Sequence, residues 1–251
     1  MTQFNFTNRH GQTLAGRMEL PDGKPTGHAI FAHCFTCSKN AKAASRISKE
    51  LAEHGIAALR FDFTGLGNSE GDFANTNFSS NVDDLMSAAD AMAAQQMAPS
   101  LLIGHSLGGA ASLMAAEKID SIRAVATIGA PSEPAHVSHL FGDQVAAIEE
   151  DGCACVSIGG RKLRIQKHFL EDIQSNRVGE SLADLKKPLM IFHSPIDTIV
   201  SIENARQIYN TARHPKSFVS IDGANHMLDD PADARFVAAM LATWADRYVV
   251  T

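Results

Sequence analysis

Short runs of consecutive apolar residues alternate along the chain with longer stretches of helix-forming residues. Runs that are apolar at every position are typical of strands buried on both faces, as in parallel sheets. Such runs predict strands at residues 29–32, 57–61, 101–103, 125–128, 189–192 and 218–221. The stretches between them predict helices at residues 41–54, 81–95, 107–118, 202–211 and 231–248. This alternation predicts an α/β fold with a mostly parallel central sheet flanked by helices.

The first twenty residues follow a different pattern. Residues 4–7 and 13–20 alternate between apolar and polar positions, and the polar residues 8–11 lie between them. Alternation around a short polar turn predicts an antiparallel hairpin. We expect this N-terminal hairpin at one edge of the sheet.

One connection is too long to be a simple loop, because loops between strands and helices are normally a few residues long. It runs from Ala130 to Lys187. Within it, residues 153–158 and 161–165 predict a hairpin around a Gly159-Gly160 turn. A short helix is predicted at residues 168–174.

These elements predict a small cap insertion at residues 131–185. The remaining residues, 1–130 and 186–251, are then the core domain. An exposed hairpin in the cap offers unpaired strand edges, so a homodimer through the cap is a further expectation.

Composition and charge exclude several classes of partner. The chain has 251 residues, 45% of them hydrophobic and 20% charged, which suits a folded domain with a large core. The net charge is −6 and no dense Lys/Arg run occurs, which argues against nucleic acid or an anionic membrane as partner. No run approaches the ~20 apolar residues of a membrane span, and the N-terminus lacks a secretory signal pattern. We therefore predict a soluble cytoplasmic protein.

Four cysteines fall in two close pairs, Cys34 with Cys37 and Cys153 with Cys155. Structural disulfides are rare in the cytoplasm, and no further pair completes a zinc set. We interpret the cysteines as small packing residues and expect no metal and no cofactor. A redox role for Cys34 and Cys37 stays open as an alternative.

The sharpest motif is Gly104-His105-Ser106-Leu107-Gly108, between an apolar strand and a helix rich in Ala and Leu. A serine at a tight strand-to-helix turn projects its hydroxyl into the open, and the turn requires glycines two residues before and after it. The helix start adds free N–H groups and a positive dipole end. We predict Ser106 as a nucleophile, with Gly104 and Gly108 as the elbow glycines.

A serine nucleophile needs a base, and the base needs an acid that orients it. Asp197 follows the apolar run 189–192, and His226 follows the run 218–221. The order Ser, Asp, His along the chain is that of α/β-hydrolase triads. Because the carboxyl ends of parallel strands meet at one edge, all three side chains should emerge together. His105 and His193 are interpreted as structural.

An oxyanion hole requires two preorganised N–H donors. The first predicted donor is the backbone N–H of Leu107, directly after the serine. The second is expected in the loop after the strand that ends at Ala32, and Phe35 is the predicted residue.

These motifs resemble those of α/β-hydrolases. His33-Cys34-Phe35 is similar to the His-Gly-Phe oxyanion loop of that superfamily, with Cys34 where glycine is usual. Residues 62–69 resemble its D-x-x-G-x-G-x-S turn, and residues 104–109 its nucleophile elbow. Residues 33–40 and 62–75 also resemble the hydrolase half of bacterial proteins that fuse an α/β-hydrolase to an OsmC-like domain, and the short cap is similar to that of cinnamoyl (feruloyl) esterases.

The resemblance implies a serine carboxylesterase that acts on small-molecule acyl or aryl esters. Feruloyl (cinnamoyl) ester hydrolysis and thioester hydrolysis are alternatives within the same chemistry. A redox protein and a catalytically inactive scaffold are alternatives of other classes. Four apolar residues of the cap have two alternative predicted roles, lining an acyl pocket or forming the cap's own core: Phe141, Val145, Ile148 and Phe169.

Overall fold

The computed structural model describes residues 1–158 and 160–249. Its strands are β1 (Thr2–Gln3), β2 (Phe6–Thr7), β3 (Thr13–Leu14), β4 (Gly16–Glu19), β5 (Gly27–Ala32), β6 (Ile56–Phe61), β7 (Leu101–His105), β8 (Ala124–Ile128), β9 (Cys153–Ile158), β10 (Arg161–Gln166), β11 (Leu189–His193) and β12 (Lys216–Ser220). Its α-helices are α1 (Lys42–Glu53), α2 (Phe78–Ala94), α3 (Leu107–Lys118), α4 (Gln144–Asp151), α5 (Lys167–Ser175), α6 (Val178–Asp184), α7 (Glu203–Thr211) and α8 (Pro231–Val249). Short 3₁₀ helices span Phe73–Asn75 and Pro134–Phe141.

Eight strands form the central sheet, in the order β1-β4-β6-β5-β7-β8-β11-β12. The strands from β6 to β12 in this order are parallel, whereas β4 pairs antiparallel with β6 and β1 pairs antiparallel with β4. This topology confirms the predicted α/β-hydrolase fold.

Both faces of the sheet are covered, which is why its central strands are apolar at every position. Helices α1 and α8 pack on one face, where Ile47 and Leu241 are fully buried. Helices α2 and α3 pack on the other face, around residues such as Leu85 and Leu113. The carboxyl ends of β7, β8, β11 and β12 therefore share one open edge, from which the candidate site is built.

The N-terminal hairpin is confirmed, but it is divided. Strand β2 pairs with β3 in a separate two-stranded sheet, and β1 pairs with β4 on the main sheet. The division lies at Gly16, where an added Cβ would collide with the backbone oxygen of Phe4. The Phe4 amide donates to the Gly16 carbonyl at 3.0 Å, so the two segments lie too close together here for a side chain.

Helix α2 begins at Phe78, three residues before its predicted start. Asn77 is its N-cap and accepts from the Ser80 amide at 2.8 Å, while the Ser80 hydroxyl accepts from the Asn77 amide at 2.9 Å. This reciprocal pair satisfies two N–H groups of the first turn. The signal was present in the sequence as Asn77-x-x-Ser80.

The segment 131–185 contains more structure than predicted. The hairpin of β9 and β10 and the helix α5 are confirmed, and Gly159 of the predicted turn lies outside the described residues. Helices α4 and α6 and the 3₁₀ helix Pro134–Phe141 were not predicted. Apolar residues of the segment, such as Ile148 and Leu182, belong to the same buried cluster as those of α2 and α3. The segment is therefore packed on the sheet's helices as well as on itself.

The described residues contain no helix whose length and hydropathy suit a membrane span.

Candidate active site

Ser106 lies at a sharp turn between β7 and α3. Its φ of 55° and ψ of −128° are uncommon for a residue with a side chain, which is a mark of the nucleophile elbow. A Cβ at Gly104 would collide with the carbonyl oxygen of Gly108, and a Cβ at Gly108 would collide with that of His33. The elbow glycines are therefore required by backbone contacts on both sides of the serine.

The three predicted side chains meet in one hydrogen-bonded chain. The Nε2 atom of His226 is 3.0 Å from the Oγ of Ser106. The Nδ1 atom of His226 is 2.7 Å from the Oδ2 of Asp197. Because an ionised carboxylate only accepts, Nδ1 carries a proton and Nε2 is the free acceptor in the neutral ring. This tautomer is the one that can take the proton of the serine hydroxyl.

Asp197 is held as an anion by its neighbours. Burial raises the pKa of its carboxyl, but the hydrogen bond with His226 and the amides of Val200 and Ile199 outweigh burial, so the pKa lies below its ordinary value. The two amides donate to Oδ1 at 2.9 and 2.8 Å. They leave Oδ2 for the imidazole, which fixes the direction of the carboxylate.

Two further histidines lie close to this chain. The ring of His105 is buried, and burial, the largest influence, lowers its pKa to about 3. His193 is also buried, which lowers its pKa, and its Nε2 donates to the Val200 carbonyl at 2.8 Å. Both rings bond to backbone, in agreement with the structural roles predicted for them.

The two residues predicted to supply oxyanion amides, Leu107 and Phe35, both lie beside Ser106. Leu107 is the first residue of α3, and Phe35 lies in the loop after β5; both line the cavity that contains Ser106. Among the described residues, neither amide has a protein acceptor. The loop is tightly shaped, because Thr36 adopts a φ of 64°. The Thr36 carbonyl accepts a hydrogen bond from the Nη1 of Arg161, on β10, at 2.8 Å.

The prediction that the cysteines only pack is wrong for Cys34 and Cys37. They are joined by a disulfide, with Cα atoms 5.4 Å apart, inside the usual range. The Cys37 amide donates to the Cys34 carbonyl at 3.1 Å, and this turn brings the two residues together. The prediction is also wrong for Cys155, which is exposed on β9.

A buried ion pair between Lys39 and Asp62 supports the end of the loop that follows β5. The Nζ of Lys39 binds the Oδ2 of Asp62, and the Lys39 amide donates to Oδ1 at 2.6 Å. The Asn68 amide also donates to Oδ2, at 2.9 Å. A Cβ at Gly67 would enter the Asp62 carboxylate, which explains the glycine of this turn. Losing either charged partner would leave the other one buried and unpaired.

A cavity of about 640 Å³ opens above Ser106 and His226, and its wall is mainly apolar. Leu140, Val137 and Ile158 contribute from the 131–185 segment, and Ile199 and Met227 stand partly exposed at the rim. None of the four residues weighed as pocket lining is in the cavity wall. Phe141, Ile148 and Phe169 belong to the buried core, and Val145 is partly buried against it. Phe35 packs against two of these rings, with centroids 6.3 and 5.4 Å away.

Sequence reasoning missed two residues of this site. Gly129 follows β8 with a φ of 54°, and a Cβ there would lie 3.3 Å from Nδ1 of His226 and 3.4 Å from Oδ2 of Asp197. A glycine directly after a buried strand, at the same sheet edge as the triad, was a usable signal. Arg161 gave no such signal, since its contact with Thr36 joins residues 125 positions apart.

The described residues contain no group of three or more His, Cys, Asp or Glu side chains arranged to hold a metal ion. The chemistry available at the site is that of a hydroxyl, an imidazole, a carboxylate and backbone amides.

Comparison with known proteins identifies the family to which the chain belongs. Residues 23–149 match a family model described as serine aminopeptidase, S33. The esterase domain of a Rhodothermus marinus protein is 48% identical, with a TM-score of 0.81, and the alignment covers 98% of each chain.

More distant similarities extend over the same length. The mouse (Mus musculus) palmitoyl-protein thioesterase ABHD10, mitochondrial, is 25% identical over 250 residues, which cover 94% of this chain and 82% of that protein. The structure of Est1E from Butyrivibrio proteoclasticus with bound ferulic acid is 22% identical, with a TM-score of 0.84, and the alignment covers 97% of this chain and 98% of the other. At 22% identity, the structural similarity to Est1E shows that the two proteins share a fold.

Proposed function

This chain belongs to the α/β-hydrolases, in the family described as serine aminopeptidase, S33, and from that premise we propose that it is a serine carboxylesterase with Ser106 as nucleophile. The observation that carries the proposal is the hydrogen-bonded chain from Asp197 through His226 to Ser106 at the floor of an apolar cavity. The 48% identity to the esterase domain from Rhodothermus marinus supports ester hydrolysis.

In the first half of the reaction, Oγ of Ser106 attacks the ester carbonyl carbon while Nε2 of His226 takes the hydroxyl proton. Asp197 stabilises the imidazolium that forms and holds its orientation. The amides of Leu107 and Phe35 bind the negative oxygen of the tetrahedral intermediate. His226 then returns the proton to the leaving alcohol, and an acyl-enzyme remains on Ser106.

In the second half, water takes the place of the alcohol. His226 accepts a proton from the water as it attacks the acyl carbon, and the same two amides bind the oxyanion again. The imidazolium then protonates Oγ of Ser106, which releases the carboxylic acid and restores the starting state.

The cavity wall favours esters over the peptides that an aminopeptidase cleaves. An aminopeptidase must bind the α-ammonium of its substrate, and a carboxylate is the usual partner for an ammonium group. No Asp or Glu is among the described residues that line the cavity. We therefore propose acyl or aryl esters as the substrates, with the segment 131–185 acting as a cap that supplies one wall.

Thioester hydrolysis is a second candidate, because the mouse relative is named a palmitoyl-protein thioesterase. The partly exposed Ile199 and Met227 at the rim would suit an acyl chain that extends out of the cavity. The same triad serves both reactions, since an acyl-enzyme on Ser106 is common to them. Feruloyl esters stay a prediction for the same site.

The deciding experiment measures hydrolysis of p-nitrophenyl acetate by the wild type and by Ser106→Ala and His226→Ala. If the residues act as a unit, each substitution lowers kcat by a factor on the order of 10⁶. A fluorophosphonate probe should label the wild type and leave Ser106→Ala unlabelled, which separates an active hydrolase from an inactive scaffold. Turnover by Ser106→Ala at the wild-type rate would remove the proposal.

A substrate panel then ranks the candidates. It contains p-nitrophenyl esters of increasing acyl length, methyl ferulate, a palmitoyl thioester and an aminoacyl p-nitroanilide. Ester cleavage with no release of p-nitroaniline is the expected result. Peroxide consumption that is lost in Cys34→Ser and kept in Ser106→Ala would instead support the redox alternative.

The cytoplasmic location and the homodimer through the cap hairpin stay predictions. Light scattering during size-exclusion chromatography measures the mass in solution. Charge substitutions on the exposed positions of β9 should dissociate a dimer if the hairpin edge forms it.

A further inference from the structure

The lysine and the arginine in the cavity wall have no acidic residue beside them among the described lining residues. They are Lys42 and Arg161, and His136 and His139 also line the cavity. The Nζ of Lys42 is 3.8 Å from an oxygen of Asp229, so its charge is partly balanced. Arg161 has no carboxylate within ion-pair distance among the residues that the structure describes.

Arg161 faces the cavity because of the alternation of side chains along β10. Arg161 and Ile165 lie on the same face of the strand, and Ile165 is buried toward the protein. The Nη1 of Arg161 donates to the Thr36 carbonyl at 2.8 Å. Arg164 lies on the opposite face, where its Nη2 contacts the Sγ of Cys153 at 3.2 Å. The two arginines of one strand therefore point to different surroundings.

A guanidinium has five N–H donors in a planar fork, and the Thr36 carbonyl uses one nitrogen. The remaining donors stand beside an apolar cavity and lack an anionic partner among the described residues. A carboxylate accepts two parallel N–H bonds from such a fork, which adds both affinity and direction. Arg161 is exposed to solvent, so its free donors are accessible to a substrate that enters the cavity.

We propose that the site is selective for esters whose acyl group carries a carboxylate, and that Arg161 is the residue that binds this carboxylate. The inference rests on the proposed esterase function and adds the class of substrate. The substrate's carbonyl lies at Ser106 and its acyl chain runs along the apolar wall. Its far carboxylate then reaches β10, so that esters of dicarboxylic acids are preferred over esters of fatty acids of equal length.

The test compares two chromogenic esters with the same six-carbon acyl chain, mono-p-nitrophenyl adipate and p-nitrophenyl hexanoate. The wild type should have a KM for the adipate about two- to fivefold below that of Arg161→Gln, the size expected for an ion pair at a solvent-exposed position. Arg161→Gln should raise the KM for the adipate more than that for the hexanoate, because loss of the contact with Thr36 affects both esters and loss of the anion partner affects only the adipate. Arg161→Lys should recover part of the adipate KM, since it keeps the charge and loses the fork.

Arg164→Gln is the matched control, because it removes the same charge from the opposite face of β10. It should leave both KM values as in the wild type. Raising the ionic strength should raise the KM for the adipate and leave that for the hexanoate unchanged, because salt screens only the charged pair.

Two results overturn the inference while the esterase function survives: equal KM values for the two esters in the wild type, or an adipate preference that Arg161→Gln retains. A fall in kcat for both esters, with no change in their KM ratio, would show that Arg161 only holds the loop at Thr36. Absence of hydrolysis together with absence of fluorophosphonate labelling would instead contradict the proposed function itself.

Discussion

The buried ring of His105 is bonded to the backbone of the base: its Nε2 lies 2.8 Å from the carbonyl oxygen of His226. A carbonyl only accepts, so Nε2 carries the proton and His105 is the donor. The two rings also lie against each other, with centroids 5.1 Å apart and planes inclined by 35°. The residue before the elbow serine therefore holds the loop that supplies the imidazole. This hydrogen bond connects the loop of His226 directly with the strand end that carries Ser106.

We predict that His105→Phe lowers kcat by about 10- to 100-fold, because a displacement of the base by about 1 Å is enough for a loss of this size. The ring volume is kept while the hydrogen bond is lost. His105→Gln keeps a donor and should recover part of the rate. Steady-state kinetics on p-nitrophenyl acetate, with circular dichroism to check folding, is the measurement. A kcat equal to the wild type in His105→Phe would show that the bond has no positioning role.

Gly108→Ala should reduce both stability and turnover. Its Cβ would collide with the carbonyl oxygens of His33 and Ala32, and backbone atoms have little freedom to move away. The oxyanion loop starts at His33, so the collision would displace the proposed Phe35 donor, and loss of one donor costs roughly 10²–10³ in kcat.

Gly27→Ala is the control for Gly108→Ala. A Cβ at Gly27 meets its neighbours at 3.4–3.6 Å, an ordinary contact. The Gly27→Ala variant should therefore have a melting temperature near that of the wild type and should hydrolyse p-nitrophenyl acetate at the wild-type rate. If both variants behave alike in thermal denaturation and in kinetics, the close approach at the elbow is not what makes Gly108 necessary.

The site was predictable from sequence because its parts follow strand ends. Ser106 lies at the turn after one apolar run, and Asp197 and His226 lie in the loops after two others. Parallel strands end at one edge of a sheet. Local spacing therefore identified side chains that lie 29 to 120 positions apart. The glycines of the elbow were predictable for a similar reason, since a tight turn requires them on both sides.

What the sequence did not indicate depends on contacts between distant segments. The bond from Arg161 to Thr36 has no local pattern. Helices α4 and α6 are short, and their burial comes from packing on other elements: α6 packs on α3 and α7, and α4 packs on β9 and the 3₁₀ helix Pro134–Phe141. For α4 a local signal existed in Gly152, which ends the helix in the left-handed region. The disulfide was not predicted, because structural disulfides are rare in the cytoplasm. The short spacing of Cys34 and Cys37 nevertheless allows a turn that brings the two residues together.

Opening the disulfide should lower kcat more than it raises KM. Cys34 and Cys37 bracket Phe35, so the bond restricts the backbone that carries a proposed oxyanion donor. The double variant Cys34→Ser/Cys37→Ser, and the wild type treated with a dithiol reductant, should show the same loss. Alkylation followed by mass spectrometry counts the free thiols in each sample.

The free cysteines provide the control for this experiment. Cys153→Ser/Cys155→Ser removes both thiols that are free in the structure and leaves the loop intact. It should keep the wild-type kcat and remain sensitive to the reductant. A reduced wild type that is as active as the oxidised enzyme would show that the loop holds its shape without the bond.

Stability should fall as the pH is lowered from about 7 to about 5, and two buried histidines contribute to the fall. Burial, the main cause in both, lowers the pKa of His105 to about 3 and that of His33 to about 4, from 6.5. Below pH 6.5 the unfolded chain binds protons at these residues and the folded chain does not, so unfolding takes up protons and acid favours it. The contribution of each histidine is lost progressively from pH 6.5 down to its folded pKa.

The measurement is urea denaturation at several pH values between 5 and 7. Each buried histidine should add a slope on the order of 1 kcal/mol per pH unit to the free energy of unfolding. His105→Gln removes one titrating ring and keeps a donor, so its curve should be flatter by about that amount, and His33→Gln/His105→Gln flatter again. This window lies above the lowered pKa of Asp197, which therefore stays ionised and adds no slope there. If the variants keep the wild-type slope, protonation of these two rings is not what makes the protein sensitive to acid, and the loss must come from groups elsewhere in the chain.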